Sequence, residues 1–200
     1  MSSQRLDAIP FNLHWENPPA EWNIDNSQTL HITAGAKTDL FADPNGTSIT
    51  NNSPRFTFRP QGDFILSARV TVAFSSKYDA GVLLIYAHER QWAKFCFEFS
   101  PQNRPTVVSV VTRETSDDCN SMSVDGNQIY LRIARVGNTF AFHASDDAHF
   151  WNMIRYFTLG ELGEALVGFC AQSPTGESCT VTFDDIHFEA RTLTDLRSGE

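Results

Sequence analysis

The chain has 200 residues and a formal net charge of −9, with a pI near 5.0. That length suits one large domain and lets the chain bury roughly 70% of its unfolded surface, so folding requires neither disulfides nor a metal. The acidic balance argues against general nucleic-acid or anionic-membrane binding, which needs clustered positive charge.

The first seven residues, Met1 to Asp7, are polar and lack the apolar segment of a signal peptide. No apolar run approaches the ~20 residues of a membrane-spanning helix, so none is expected. A cytoplasmic location is the expectation. Cys96, Cys119, Cys170 and Cys179 show no C-x-x-C spacing. They read as thiols of a reducing compartment rather than zinc ligands.

Along the chain, period-two alternation predicts strands over 11–15, 29–34, 54–59 and then 63–74. The last is the clearest. Every even position from Phe64 to Phe74 is apolar, while Ser67, Arg69 and Thr71 occupy odd positions, so one face is buried and the other mixed. Further strands are predicted over 81–88, 92–99, 106–112, 128–136, 139–145, 165–172 and 179–189. Turns are expected at Pro18-Pro19, Asn45-Gly46, between Pro101 and Pro105, and at Asp125-Gly126. Gly137-Asn138 should close a tight hairpin. A short helix is expected near 148–154 or 159–165. Many closely spaced strands without alternating helices mean an all-β sandwich or barrel. We expect one domain from 8 to 190 and a mobile C-terminal tail at 191–200.

Parity then sorts the polar side chains. Phe95, Phe97 and Phe99 should face the core, leaving Trp92, Lys94 and Glu98 on the other side with Cys96. By the same argument Arg132 lies opposite Ile129, Leu131 and Ile133, and His143 and Ser145 lie opposite Phe140 and Phe142. Arg135 breaks the pattern at its strand end. Tyr86 and His88 share a face. These residues are expected to gather on one outer surface, where aromatic rings beside hydrogen-bonding groups suit a sugar or a related polar small molecule. The plain alternative is a solvated sheet face with ion pairs such as Lys94–Glu98.

Other signals are weaker. Asp146-Asp147 and Asp184-Asp185 could hold Ca²⁺, although EF-hand spacing is absent. There is no G-x-S-x-G nucleophile motif, P-loop or dinucleotide fingerprint. Glycoside hydrolysis needs two carboxyl groups about 5–9.5 Å apart, and Glu98 has no acidic partner two or four residues away on its own strand.

A series of short motifs carries a family resemblance: Trp15-x-Asn17-Pro18-Pro19 with Trp22, Thr38-Asp39-Leu40-Phe41, Tyr78-Asp79-Ala80-Gly81, Trp92-Ala93-Lys94, Ser116-Asp117, Leu131-Arg132-Ile133-x-Arg135-x-Gly137, Val167-Gly168-Phe169 and Phe183-Asp184-Asp185. In order and content they resemble the uncharacterised concanavalin A-like family that includes the fungal regulation-of-enolase proteins and bacterial relatives. The resemblance implies a lectin/glucanase-type jelly roll of two antiparallel sheets, one curved over a concave groove. By similarity Asp39, Asp79, Lys94, Glu98, Ser116, Asp117, Arg135 and Ser145 would line that groove. No Gln follows Asp79, no Gly follows Ser145-Asp146, and the glucanase signature Glu-x-Asp-x-x-Glu is absent. The expected activity is therefore non-catalytic carbohydrate binding, with a regulatory role in carbon metabolism implied by the resemblance. The alternatives are a module that docks on a glycolytic enzyme such as enolase, and a glycoside hydrolase.

Overall fold

Alternation places the long strand of 64–72 as anticipated. Phe64, Leu66, Ala68, Val70 and Val72 are fully buried, and Ser67, Arg69 and Thr71 are only half-buried. The computed structural model describes residues 4–200. In chain order the strands are β1 (His14–Glu16), β2 (Glu21–Asp25), β3 (Thr29–Gly35), β4 (Leu40–Ala42), β5 (Ile49–Asn51), β6 (Arg55–Phe58), β7 (Phe64–Val72) and β8 (Ala80–His88). There follow β9 (Gln91–Phe99), β10 (Pro105–Arg113), β11 (Thr115–Ser123), β12 (Gln128–Val136), β13 (Thr139–Ser145), β14 (Asn152–Thr158), β15 (Leu166–Gln172) and β16 (Ser178–Glu189).

They form two seven-stranded antiparallel sheets, a concanavalin A-like jelly-roll sandwich. The first sheet runs β1-β6-β15-β8-β9-β10-β11 and the second β14-β13-β12-β7-β16-β3-β2, while β4 and β5 make a separate hairpin. Non-consecutive neighbours such as β6, β15 and β8 are what a jelly roll requires, because its chain crosses between sheets instead of returning beside itself. The tight turn expected at Gly137-Asn138 is present: Val136 pairs with Thr139 across it. Gly137 has φ 58°, and its N–H donates to Asp63 Oδ1 at 2.8 Å.

The core lies between the inner faces. Phe95 of β9 stacks on Phe142 of β13 with centroids 4.7 Å apart and planes 9° apart. Phe169 of β15 meets Phe183 of β16 at 5.1 Å. Such aromatic pairs contribute roughly 0.5–1.5 kcal/mol each beyond the area they bury, and here they tie one sheet to the other.

Two secondary clusters lie outside the sandwich. The β4–β5 hairpin covers the first sheet's outer face, where Leu40 packs with Val82, Leu84, Trp92, Cys96 and Val110. On the second sheet's outer face, Leu193 and Leu196 pack on Ile65, Ala134 and Ala141. Residues 191–200, expected to be a mobile tail, therefore dock. Three apolar side chains on that face would otherwise meet water.

Neither expected helix forms. Residues 152–158 are the edge strand β14, and 159–165 are bends and irregular backbone. β11 and β14 escape the sequence pattern because edge strands with one solvated flank need little apolar alternation.

Gly168 of β15 marks a close backbone approach. A Cβ there would lie 2.2 Å from Phe56 O and 2.8 Å from Thr57 Cα. Gly168→Ala should therefore force β15 from β6 and lower stability by roughly 1–3 kcal/mol. Gly35→Ala, which meets nothing within 4 Å, should stay within about 0.5 kcal/mol of wild type. Urea unfolding of both variants checks this, and equal midpoints would refute the assigned β6–β15 contact.

Candidate functional site

With Phe95 and Phe97 turned inward, β9 must present Lys94 and Glu98 outward on the first sheet. The outward faces of its neighbours add Asp118 from β11 and Gln172 from β15, and the hairpin adds Asp39 and Phe41. Together with Tyr78, Pro174 and Thr175 these residues line a pocket of about 370 Å³. Lys94 is buried in its floor. Its Nζ donates to Asp39 Oδ1 and to Gln172 Oε1, each at 3.1 Å. The Gln172 amide is oriented by donating from Nε2 to Tyr78 O at 3.3 Å.

Burial works against the Lys94 ammonium, but the negative charge around it, Asp39 first, holds its pKa above the ordinary value. The lysine stays charged. Glu98 behaves in the opposite sense. Burial pushes its carboxyl up to about 8, the nearby Lys94 only partly counters this, and Asp118 and Asp39 add to the rise. At neutral pH Glu98 is mainly a carboxylic acid, able to donate and accept a hydrogen bond. Lost hydration also raises Asp118, at the pocket mouth. A charged donor, a neutral acid, an amide and carboxylates thus meet in one cavity, with the half-exposed Tyr78 ring on the rim.

The other expected site residues distribute differently. Tyr86 and Trp92 do share this face, but the hairpin covers them. Trp92 is 1% exposed and donates from Nε1 to Glu89 O. Tyr86 accepts from Asn51 Nδ2 at 3.3 Å and lies 4.4 Å under the Arg55 guanidinium. Neither is an open stacking platform. Ser116 Oγ accepts from Ala42 N and bonds Thr112 Oγ1, each at 3.0 Å, so it fastens the hairpin. Asp117 turns away to Arg155 at 2.8 Å. Asp79 is buried and satisfied: Oδ2 accepts from the backbone N–H of Ser75 and Ser76, and Oδ1 accepts from Ser173 Oγ at 2.7 Å. Arg135 donates to Gly137 O in its own hairpin turn.

Arg132, His143 and Ser145 do not join Lys94. They project from the second sheet's outer face, on the opposite side of the sandwich. Parity assigns a side chain to one face of its own sheet, and a sandwich has two outer faces. The ion pair imagined between Lys94 and Glu98 is replaced by Lys94–Asp39. Asp118 and Gln172 were missed. Parity from Ser116 and from Cys170 would have found them, had 115–123 been read as a strand.

The acidic pairs are committed elsewhere. Arg69 donates to both Asp184 oxygens at 2.7 and 2.8 Å, and Asp185 accepts from Tyr130 Oη at 3.0 Å. Asp147 caps a turn through His149 N and Phe150 N, while Asp146 lines a separate shallow pocket with Asp125 and Gln128. Among the described residues no group of three or more His, Cys, Asp or Glu is placed to hold a metal ion. The four cysteines are free.

Known proteins place this architecture. A functionally unknown protein from Saccharomyces cerevisiae superposes with a TM-score of 0.84 at 19% identity, covering 95% of this chain and 100% of that one. The GH43 protein BlXynB from Bacillus licheniformis, in its K247S mutant, matches with a TM-score of 0.69 at 14% identity, covering 88% of this chain and 37% of that one. The alginate lyase from Klebsiella pneumoniae matches with a TM-score of 0.57 at 11% identity, over 84% and 83% of the two chains. This chain thus spans little more than a third of the GH43 protein, and at these identities the likeness is one of fold. No curated protein sequence matches it. Residues 15–191 match the family described as "Protein of unknown function (DUF1349)", and the chain belongs to that family.

Proposed function

We propose that the protein binds a carbohydrate, or a polar small molecule resembling one, in the Lys94 pocket. The observation that carries this reading is the buried ammonium in the floor, held by Asp39 and Gln172 in a cavity shared with Glu98 and Asp118. A sugar hydroxyl donates and accepts at once, so it needs such a mixture of charged donor, neutral acid and carboxylate acceptor. Tyr78 and Phe41 supply apolar surface for its C–H faces. Two fold neighbours, a xylan β-1,4-xylosidase from Bacillus halodurans and the xyloglucan PUL GH43B of Bacteroides ovatus, support a saccharide as the ligand class. The resemblance of the Trp15-to-Asp185 motifs to fungal regulation-of-enolase proteins supports a regulatory role in carbon metabolism.

One observation favours a second reading, glycoside hydrolysis. Asp118 lines the pocket as well as Glu98, adding the second carboxyl that β9 alone lacks, and Glu98 keeps its proton at neutral pH as a general acid must. Reducing-sugar release from a polysaccharide panel, abolished by Glu98→Gln, would establish it over simple binding.

Titration calorimetry against a panel of mono- and oligosaccharides tests the binding reading. Lys94→Met should weaken a bound sugar more than tenfold, since hydrogen bonds to charged groups are worth about 1.5–3 kcal/mol, and Glu98→Ala, which removes the hydrogen bonds of a neutral acid, should weaken it severalfold. No binding across the panel by folded protein, or unaltered affinity in both variants, would refute the site.

The Glu98 carboxyl also predicts a pH dependence. Its pKa is raised on folding, so the native state holds a proton that the unfolded chain releases above about 4.5. Stability from this group is complete below that pH and is lost as pH rises through about 8. Wild type should therefore lose more melting temperature than Glu98→Gln between these limits, by roughly 3 °C or more. Parallel pH profiles for the two proteins would show that Glu98 is not held protonated.

A further inference from the structure

The second sheet's outer face carries an arginine that lacks an acidic partner among the described residues. Arg132 of β12 is 5% exposed. Its five N–H donors meet one acceptor among the described residues, Gly199 O at 3.0 Å from Nη2, while Nε is buried without a partner. The Trp151 ring covers one face of the guanidinium at 4.2 Å. Each of the other buried basic side chains has a carboxylate: Lys94 has Asp39 and Arg55 has Glu16. A buried cation with unmet donors is costly unless something pairs with it.

The surroundings set this guanidinium against a cavity. Strand register puts His143, Arg132, Ser67 and His187 in one row across β13, β12, β7 and β16. The bulge between Asp184 and His187 shifts β16 so that His187 completes the row opposite Ser67. Ser67, Arg132, Trp151, His187 and Arg191 line a cavity of about 380 Å³. His143 Nε2 lies 2.8 Å from Leu196 O, and burial together with Arg132 lowers its pKa to about 4, so the ring is neutral and donates to that carbonyl. The segment around Leu196 and Gly199 thus packs behind His143 and Arg132 and leaves the Arg132 fork incompletely used.

We propose that this cavity binds the oxyanion of a small molecule, a carboxylate or a phosphate group. The oxygens take the free edge of the Arg132 guanidinium, Ser67 and His187 add donors, and the carbon framework lies against Trp151. A planar fork beside an aromatic ring is the geometry that suits such a group. Asp185 and Glu189, which also line the cavity, and the net charge of −9 repel extended polyanions, which restricts the occupant to a small molecule. This site is independent of the Lys94 pocket.

The test is an NMR titration of ¹⁵N-labelled protein with inorganic phosphate and, separately, benzoate, at ionic strength held constant with chloride. Saturable shifts of the Trp151 indole N–H, without shifts at Trp92, are expected. Phosphate as the stronger probe would indicate a phosphate ester, and benzoate a carboxylate. Arg132→Lys keeps the charge but loses the fork and should weaken binding at least tenfold. Trp151→Ala, outside the core, should weaken benzoate severalfold. Lys94→Met should leave oxyanion affinity unchanged. The proposal is overturned if neither probe shifts Trp151 beyond the chloride control, or if both Arg132→Lys and Trp151→Ala bind as wild type does.

Discussion

The stack of Phe95 on Phe142 is the contact on which the functional geometry rests. Pointing Phe95 inward determines the direction of every other side chain on β9, because successive residues of a strand alternate faces. Lys94 and Glu98 must then face outward, away from the core they flank. The same constraint on β13 sends His143 outward on the other side. One aromatic pair thus orients two polar surfaces in opposite directions, and both candidate sites follow from where the phenylalanines sit.

Covering an outer face changes its chemistry. An exposed lysine on a sheet is a solvated charge of little energetic consequence. The β4–β5 hairpin alters that by burying Leu40 against Trp92, Val82 and Val110, which removes water from around Lys94 and brings Asp39 to it. The same dehydration that makes the ion pair matter holds Glu98 in its acid form. On the second sheet the segment carrying Leu193 and Leu196 plays a similar part beside Arg132. There it contributes backbone carbonyls rather than a carboxylate, so the positive charge is left for a ligand to neutralise. Two similar coverings produce one pocket with mixed hydrogen bonding and one with an unmet cation.

Much of the scaffold was legible in the sequence because burial imposes period two on central strands. The strands predicted over 128–136 and 139–145 appear with those bounds, joined by the Gly137-Asn138 turn. β11 was not legible, since Thr115 to Ser123 is almost wholly polar and only its neighbour β10 identifies it as a strand. Asp117 was implied by the resemblance, whereas Asp118 is the residue of β11 that lines the pocket. The helix expected near 148–154 overlaps the start of β14, where pairing with β13 decides for the strand.

What the sequence determined by itself is the all-β class and the face of its own sheet to which each central side chain belongs, because alternation is a local consequence of strand geometry. The family resemblance, beyond that local pattern, implied Lys94, Glu98 and Asp39 as groove residues. The tertiary structure alone decided that Arg132 and His143 lie across the sandwich from Lys94, that Trp92 is roofed over, and that Gln172 and Asp118 complete the pocket. Those outcomes depend on which strands become neighbours and which loops fold back over a sheet. Such contacts join residues as distant as Asp39 and Lys94 or Lys94 and Gln172, and no local pattern in the chain encodes them.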